Sequence, residues 1–166
     1  MASTTATSSR GRGLLARVLS TRPADLEVDL ALVAVRVALA WIFIYNGGEK
    51  LFGWFGGPGI SGESTFMSDV AHLNPGGFFA VLAGVTEFAA AVALIFGLGS
   101  RLFGLALVGD MVVAVITVNW TNGIEQVDGG YELNIALIGL ALVIVLMGAG
   151  RFSVDAIAER RLASKE

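Results

Sequence analysis

The sequence contains no cysteine and only one histidine, His72, in 166 residues. Without cysteine the chain cannot form disulfides, thiolate metal sites or a dithiol redox pair. A lone histidine with no second ligand nearby does not favour a metal or haem site. We therefore expect no metal site, and any redox role must depend on a bound cofactor or a partner protein.

Charge is also scarce, at 15% of residues, whereas 55% of residues are hydrophobic and 22 are glycine. Several long apolar runs carry almost no charge, which predicts a multi-pass protein of the cell membrane in contact with lipid. The net charge of -3 combines basic ends with acidic central segments. Such a distribution helps to predict the orientation of the chain in the membrane, and it does not indicate a nucleic-acid partner.

The first residues are small, polar and basic, and no apolar core with a cleavage site follows them at the distance typical of a signal peptide. Such a composition cannot offset the entropy cost of ordering. The segment 14–20 has apolar residues at helical spacing, so residues 1–22 are predicted to be a basic tail that is disordered or interfacial. The first apolar span should stay in the mature protein.

Four apolar stretches have the length expected of membrane-spanning helices, at residues 23–52, 78–98, 102–120 and 131–147. They predict an all-α protein, a four-helix antiparallel transmembrane bundle within a membrane domain at 23–150. A further short surface helix is expected at 66–73, ended by Pro75. Residues 151–166 are predicted to be a basic cytoplasmic tail.

Lysine and arginine are distributed asymmetrically about these spans. The N-terminal segment has four arginines and the segment from Arg151 has four basic residues, whereas the loops at 53–77 and 121–130 have none. Because basic residues favour the cytoplasmic side, both termini are predicted to be cytoplasmic.

Seven polar residues fall inside or at the ends of the apolar stretches and form the candidate buried polar site: Arg36, Glu49, Lys50, Glu87, Asp110, Glu132 and Asn134. From their depths we expect an inner cluster in which Arg36 neutralises Glu87 beside Asp110. We also expect an outer pair between Lys50 and Glu132. Two cations face four carboxylates, so at least one carboxyl, with Asp110 preferred, should carry a proton. Each residue could instead be a structural link that fixes helix register.

Several motifs in this order resemble the DoxX family of small four-helix membrane proteins. They are the helix end RVALAWIFIYNGGEKLF, a glutamate in the second span, then GLGSRL, GGYELN and GAGRFSVD. The resemblance covers about residues 30–156 and implies a four-helix bundle. It highlights Arg36, Lys50, Glu87, Glu132 and Asn134, and a C-terminal motif of Gly148, Gly150, Arg151, Ser153 and Asp155.

The resemblance also implies a class of functions, because relatives include the membrane subunit of an archaeal thiosulfate:quinone oxidoreductase and members of oxidative-stress assemblies. It favours a redox-associated subunit that binds a quinone or works with soluble or membrane redox enzymes. Buried charges suit a small proton-coupled transporter or channel equally well. A membrane scaffold for soluble redox enzymes is the third possibility, and a homo-oligomer stays open.

Overall fold

A computed structural model describes residues 25–163; the predicted tail at 1–22 lies outside them. The helices are α1 (Asp25–Phe52), α2 (Gly59–Asp69), α3 (Gly76–Phe96), α4 (Ser100–Ala114), α5 (Glu132–Met147) and α6 (Val154–Ala163). A π-helical segment, Val115–Asn119, extends α4, and a turn of 3-10 helix, Trp120–Asn122, follows it. The all-α prediction is confirmed for this part of the chain.

The long helices run alternately between two ends of the bundle. At the terminal end, α1 begins, α3 meets α4 in the turn at residues 97–99, and α5 is followed by α6. At the outer end lie the two longer connections, residues 53–75 and 120–131. Asp25 and Glu27 in the first turn of α1 and Lys50 in its last turn complement the helix dipole.

Three helices within residues 25–163 are long and apolar enough to cross a membrane: Asp25–Phe52, Gly76–Phe96 and Ser100–Asn122. The apolar helix α5 has 16 residues, which at 1.5 Å each gives about 24 Å. That length is below the hydrocarbon thickness of about 30 Å. A fourth complete span therefore stays a prediction.

Two helix pairs share one core, with α1 packed mainly against α3 and α4 mainly against α5. Fully buried residues come from α1, α3, α4 and α5, and include Leu39, Phe43, Ala90, Leu94, Leu107 and Ile144. Lipid is as apolar as these side chains, so close packing rather than hydrophobicity must hold the helices together.

Glycines allow α1 and α3 to approach closely. A Cβ atom on Gly47 would lie 2.8 Å from the Phe88 backbone nitrogen, and one on Gly84 would lie 2.8 Å from the Leu51 side chain. Ala80 and Gly84, four residues apart on α3, are both buried. This crossing brings the last turn of α1 beside the middle of α3.

Helix α2 covers the outer end and packs on α3. The expectation of a helix at 66–73 is wrong in its bounds, because α2 runs from Gly59 to Asp69. Pro58 precedes the helix, a position where its missing N–H costs nothing. His72 has a positive φ of 56°, so the helix is over before Pro75.

Candidate functional site

The ion pair between Lys50 and Glu87 joins α1 to α3 near the outer end. Lys50 Nζ donates a hydrogen bond of 2.5 Å to Glu87 Oε1. The Glu87 side chain is 1% exposed and that of Lys50 is 22% exposed. The Glu87 side chain is therefore enclosed, whereas part of the Lys50 side chain stays accessible.

Asp110 on α4 lies beside this pair. Its carboxyl group is close enough to that of Glu87 to form a hydrogen bond when one of the two carries a proton. Glu87 Oε2 is buried, and among residues 25–163 no N–H or hydroxyl group donates to it. A buried oxygen without a donor is costly, so this atom needs a proton or a bound molecule.

These three side chains, with Glu63 of α2, line a cavity of about 660 Å³, which we call the outer cavity. Its other walls are mainly apolar and include Phe66, Met67, Leu73, Phe79, Leu82, Ala83, Val113 and Val118. A Cβ atom added at Gly109, next to Asp110, would meet no atom within 4 Å. The cavity therefore has a polar cluster on one side and room for an apolar group on the other.

The π-helical segment Val115–Asn119 contributes to the cavity wall through Thr117, Val118 and Asn119. Asn119 Nδ2 donates a hydrogen bond of 2.7 Å to the Gly129 carbonyl, which ties this wall to the outer connection. Short π-helical stretches inside α-helices are frequent at functional sites. Here the segment widens the helix beside the cavity.

One ammonium group faces three carboxyl groups in the outer cavity. Burial raises the pKa of Glu63 above its usual range, while Lys50 opposes this effect and the negative charges of Asp110 and Glu49 add to it. Fully ionised, the three carboxylates would leave an excess of negative charge in a poorly hydrated site, which is unfavourable. The arrangement can hold and exchange protons, and it can donate hydrogen bonds to an acceptor.

Arg36 is not part of this cluster, so the predicted Arg36–Glu87 pair is wrong. Its guanidinium group lies at the terminal end, where it donates to four backbone carbonyls: Leu94 (2.7 Å), Ile95 (2.8 Å), Ala149 (3.0 Å) and Phe152 (2.8 Å). The last carbonyls of a helix have no partner within it. Arg36 thus caps α3 and fixes the turn that follows α5.

The C-terminal motif has a structural role at the same end. Asp155 accepts hydrogen bonds from the backbone N–H groups of Gly99 (2.7 Å) and Ser100 (3.0 Å) and so caps α4. Asp29 accepts from the Arg151 backbone N–H at 2.9 Å and pairs with its side chain. Ser153 Oγ accepts from the Ala156 N–H at the start of α6.

The two glycines of that motif, Gly148 and Gly150, have positive φ values of 81° and 77°. A left-handed backbone is strained for any residue with a side chain, so both suit the turn between α5 and α6. The motif therefore joins helices together and supplies nothing to the outer cavity.

The predicted outer pair of Lys50 with Glu132 is also wrong. Glu132 Oε1 accepts from the Gln126 N–H at 2.9 Å, in the loop before α5. Asn134 donates to the sulfur of Met111 at 3.6 Å, just behind the cavity wall. Glu49 is half-buried and accepts a hydrogen bond from Tyr45. The sequence predicted Glu132 as the partner of Lys50, but Glu132, Asn134 and Glu49 each have a different partner.

Glu63 is the site residue that the sequence analysis missed. It precedes Phe66 and Met67 by three and four residues, which places all three on one face of a helix. The surface helix expected at 66–73 begins with Phe66 and Met67, so one further helical turn before it would have placed Glu63 on the same face. In the structure Glu63 is buried, with 6% of its surface exposed.

The sequence model of the DoxX family matches residues 31–120, which include most of α1, all of α2, α3 and α4, and the four charged residues around the outer cavity. The chain belongs to the DoxX family. An uncharacterized protein of Haemophilus influenzae is 28% identical to this DoxX protein over 138 residues, which cover 82% of this chain and 88% of the relative. No solved structure matches the chain with significance.

Proposed function

We propose that this DoxX-family membrane protein is a quinone-linked redox subunit that holds a quinone in the outer cavity. The observation that carries the proposal is the cavity itself, in which the Lys50–Glu87 pair and Asp110 form one side and apolar residues form the other. Ligand pockets commonly combine apolar walls with a few polar groups that fix orientation. A quinone has the same two parts, a polar ring and an apolar tail.

The residues present fit such a molecule. The Lys50 side chain is partly exposed and lines the cavity, so its ammonium group can donate a hydrogen bond to a ring carbonyl oxygen, and the carboxyl pair of Glu87 and Asp110 beside it can accept one from a hydroxyl group. Phe79 and Leu82 line the apolar side of the cavity, where a tail would lie. A quinone supplies the ability to accept two electrons and two protons.

The chain's own contribution is binding, orientation and proton handling. Glu87 and Asp110 can share a proton and release it to a neighbouring acceptor, and Lys50 limits the excess negative charge while they do so. The sequence lacks cysteine, which removes thiolate-bound iron–sulfur clusters and dithiols as electron carriers. Electrons would then come from a soluble or membrane redox enzyme acting as the partner.

The test uses a variant that fills the cavity. Gly109→Leu should weaken binding of decylubiquinone to the purified protein in nanodiscs by about tenfold or more, measured by calorimetry. Gly139→Leu is the matched control, because Gly139 also lies in a helix, is exposed, has no atom near an added Cβ and does not line the cavity. Equal binding by both variants would place any quinone elsewhere.

Proton-coupled transport is the second candidate, and the carboxyl cluster favours it. Purification in mild detergent, followed by analysis of bound lipophilic molecules and proteins, separates the possibilities. Stoichiometric quinone supports the proposal, whereas a copurified redox enzyme without quinone supports a scaffold. If neither a quinone nor a redox enzyme copurifies, proton uptake into liposomes is measured. Uptake with the native protein but not with the Asp110→Asn variant would favour transport.

A further inference from the structure

Glu63 occupies a position that the proposed function has not used. Helix α2 lies over the outer end of the bundle, yet the Glu63 side chain is turned inward and is 6% exposed. It lines the outer cavity together with Lys50 of α1, Glu87 of α3 and Asp110 of α4. A glutamate is almost never fully buried without a function or a strong partner.

We propose that Glu63 is the residue through which the Glu87–Asp110 carboxyl pair exchanges protons with water at the outer end of the bundle. The proposal rests on the proposed function, because reduction of a quinone in the cavity would consume two protons that the pair must recover. A hydronium ion would give a proton to the Glu63 carboxylate and become water, and Glu63 would then pass the proton to a carboxylate of the pair. No other bond changes.

The groups around Glu63 support this direction of exchange. Its charge interacts with Glu49 and Lys50 of α1 and with Asp110 of α4. Glu49 is half-buried and stands against the outer loop, since a Cβ atom on Gly57 would lie 2.5 Å from the Glu49 Cβ. Ionisable groups therefore continue from the cavity towards the outer surface.

The opposite route, towards the terminal end, offers no comparable groups within residues 25–163. Below the cluster lie the fully buried core residues Phe43, Leu94 and Leu107. The next buried charge is Arg36, which keeps its proton in any protein environment and donates to four backbone carbonyls. A proton cannot readily be relayed along that path.

The tendency of Glu63 to hold a proton fits the same role. Burial raises its pKa, and Lys50 limits the rise, so the group can both bind and release a proton nearer to neutral pH than a surface glutamate. A carboxyl group poised in this way is suited to proton transfer. Its position on α2, outside the long helices, also places it between the cavity and the outer water.

The test measures protonation of the buried carboxyl pair by time-resolved infrared spectroscopy after a pH jump, with Asp110→Asn used to assign the signal. In Glu63→Gln the rate should fall about tenfold or more, and Glu63→Asp should recover part of it. Glu125→Gln, an exposed glutamate in the other outer connection, is the control and should react at the normal rate. An unchanged rate in Glu63→Gln would overturn the proposal.

A second measurement establishes the side of access. Because the native chain has no cysteine, Thr86→Cys introduces a single thiol into the cavity wall. A membrane-impermeant thiol reagent should modify it from the outer side of oriented vesicles; modification only from the terminal side would overturn the proposal. Decylubiquinone binding is measured in parallel. If the protein binds no decylubiquinone but still needs Glu63 for proton exchange, only the quinone assignment is refuted.

Discussion

Lys50 and Glu87 are ion-paired across the contact between α1 and α3, with the ammonium nitrogen 2.5 Å from Glu87 Oε1. The close approach at Gly47 and Gly84 brings the two helices near enough for the lysine side chain to reach. One oxygen of Glu87 is thereby satisfied, whereas the other is buried and has no donor among residues 25–163. The pair thus links helix packing to the chemistry of the site.

Removal of Lys50 alone should leave Glu87 as an uncompensated charge in a dry site. We expect Lys50→Met to lower the free energy of unfolding by about 3 to 5 kcal/mol, and the double variant with Glu87→Gln to recover most of that loss. Unfolding in mixed micelles measures both. The effects of Lys50→Met and Glu132→Gln on the free energy of unfolding should simply add. A coupling energy between Lys50 and Glu132, together with none between Lys50 and Glu87, would contradict the pairing.

Arg36→Lys should destabilise the terminal end although it keeps the positive charge. A lysine cannot reproduce the planar fork that reaches four carbonyls on two segments, so we expect a loss of about 3 kcal/mol. Hydrogen exchange should increase at residues 97–100 and 149–156. Arg101→Lys, which changes an exposed arginine at the same end, should leave both quantities unchanged.

Gly97→Ala should be more destabilising than Gly99→Ala. Both residues have positive φ, which costs an alanine about 1 to 2 kcal/mol at either position. At Gly97 the added Cβ would also lie 2.5 Å from the Ser153 Cβ and 2.9 Å from Arg36 Nη2, whereas at Gly99 the nearest atoms are 3.6 Å away. Thermal unfolding compares the two; equal losses would mean that the contacts of Gly97 do not matter.

Stability should fall as pH rises through the titration of Glu63. Its folded pKa is raised above the ordinary value of 4.5, so the folded protein binds the proton more tightly than the unfolded chain does. The stabilising effect is complete below about pH 4.5 and is lost at higher pH. Glu63→Gln should therefore gain stability relative to the native protein as pH increases. Glu125→Gln should follow the native curve at every pH.

Both termini should lie in the cytoplasm, as the distribution of lysine and arginine predicts. A fluorescent reporter that matures only in the cytoplasm should be active when fused after Glu166. The same reporter inserted at Gly123, in the outer connection, should be inactive. A fusion after Glu166 that works only outside the cytoplasm would reverse the orientation of the outer cavity.

The helices were largely predictable from the sequence, because long apolar stretches can satisfy their backbone groups in lipid only as helices. The stretches predicted at 78–98 and 131–147 agree closely with α3, Gly76–Phe96, and α5, Glu132–Met147. Helix α6 was not predicted, because its many charged residues obscure the helical spacing of its few apolar residues. Its start depends on the Ser153 cap, which pattern alone does not distinguish from a turn.

The partners of the buried charges could not be predicted in the same way. Depth along a helix placed Arg36 and Glu87 within reach, but depth says nothing about the direction in which each side chain points. Gly47 and Lys50 are three residues apart, as are Gly84 and Glu87, so each charge shares a helix face with a glycine of the close contact. That relation was available in the sequence and would have suggested Lys50 as the partner of Glu87.

The four hydrogen bonds of Arg36 also impose an order on the making of the protein. During synthesis α1 emerges early, while the carbonyls of Ala149 and Phe152 emerge more than 100 residues later. Until then the arginine has at most the two carbonyls at the end of α3 as partners. A ribosome stalled before residue 149 would hold an incomplete bundle in which Arg36 lacks two of its acceptors, so the newly made chain can close its terminal end only after Phe152 has been added.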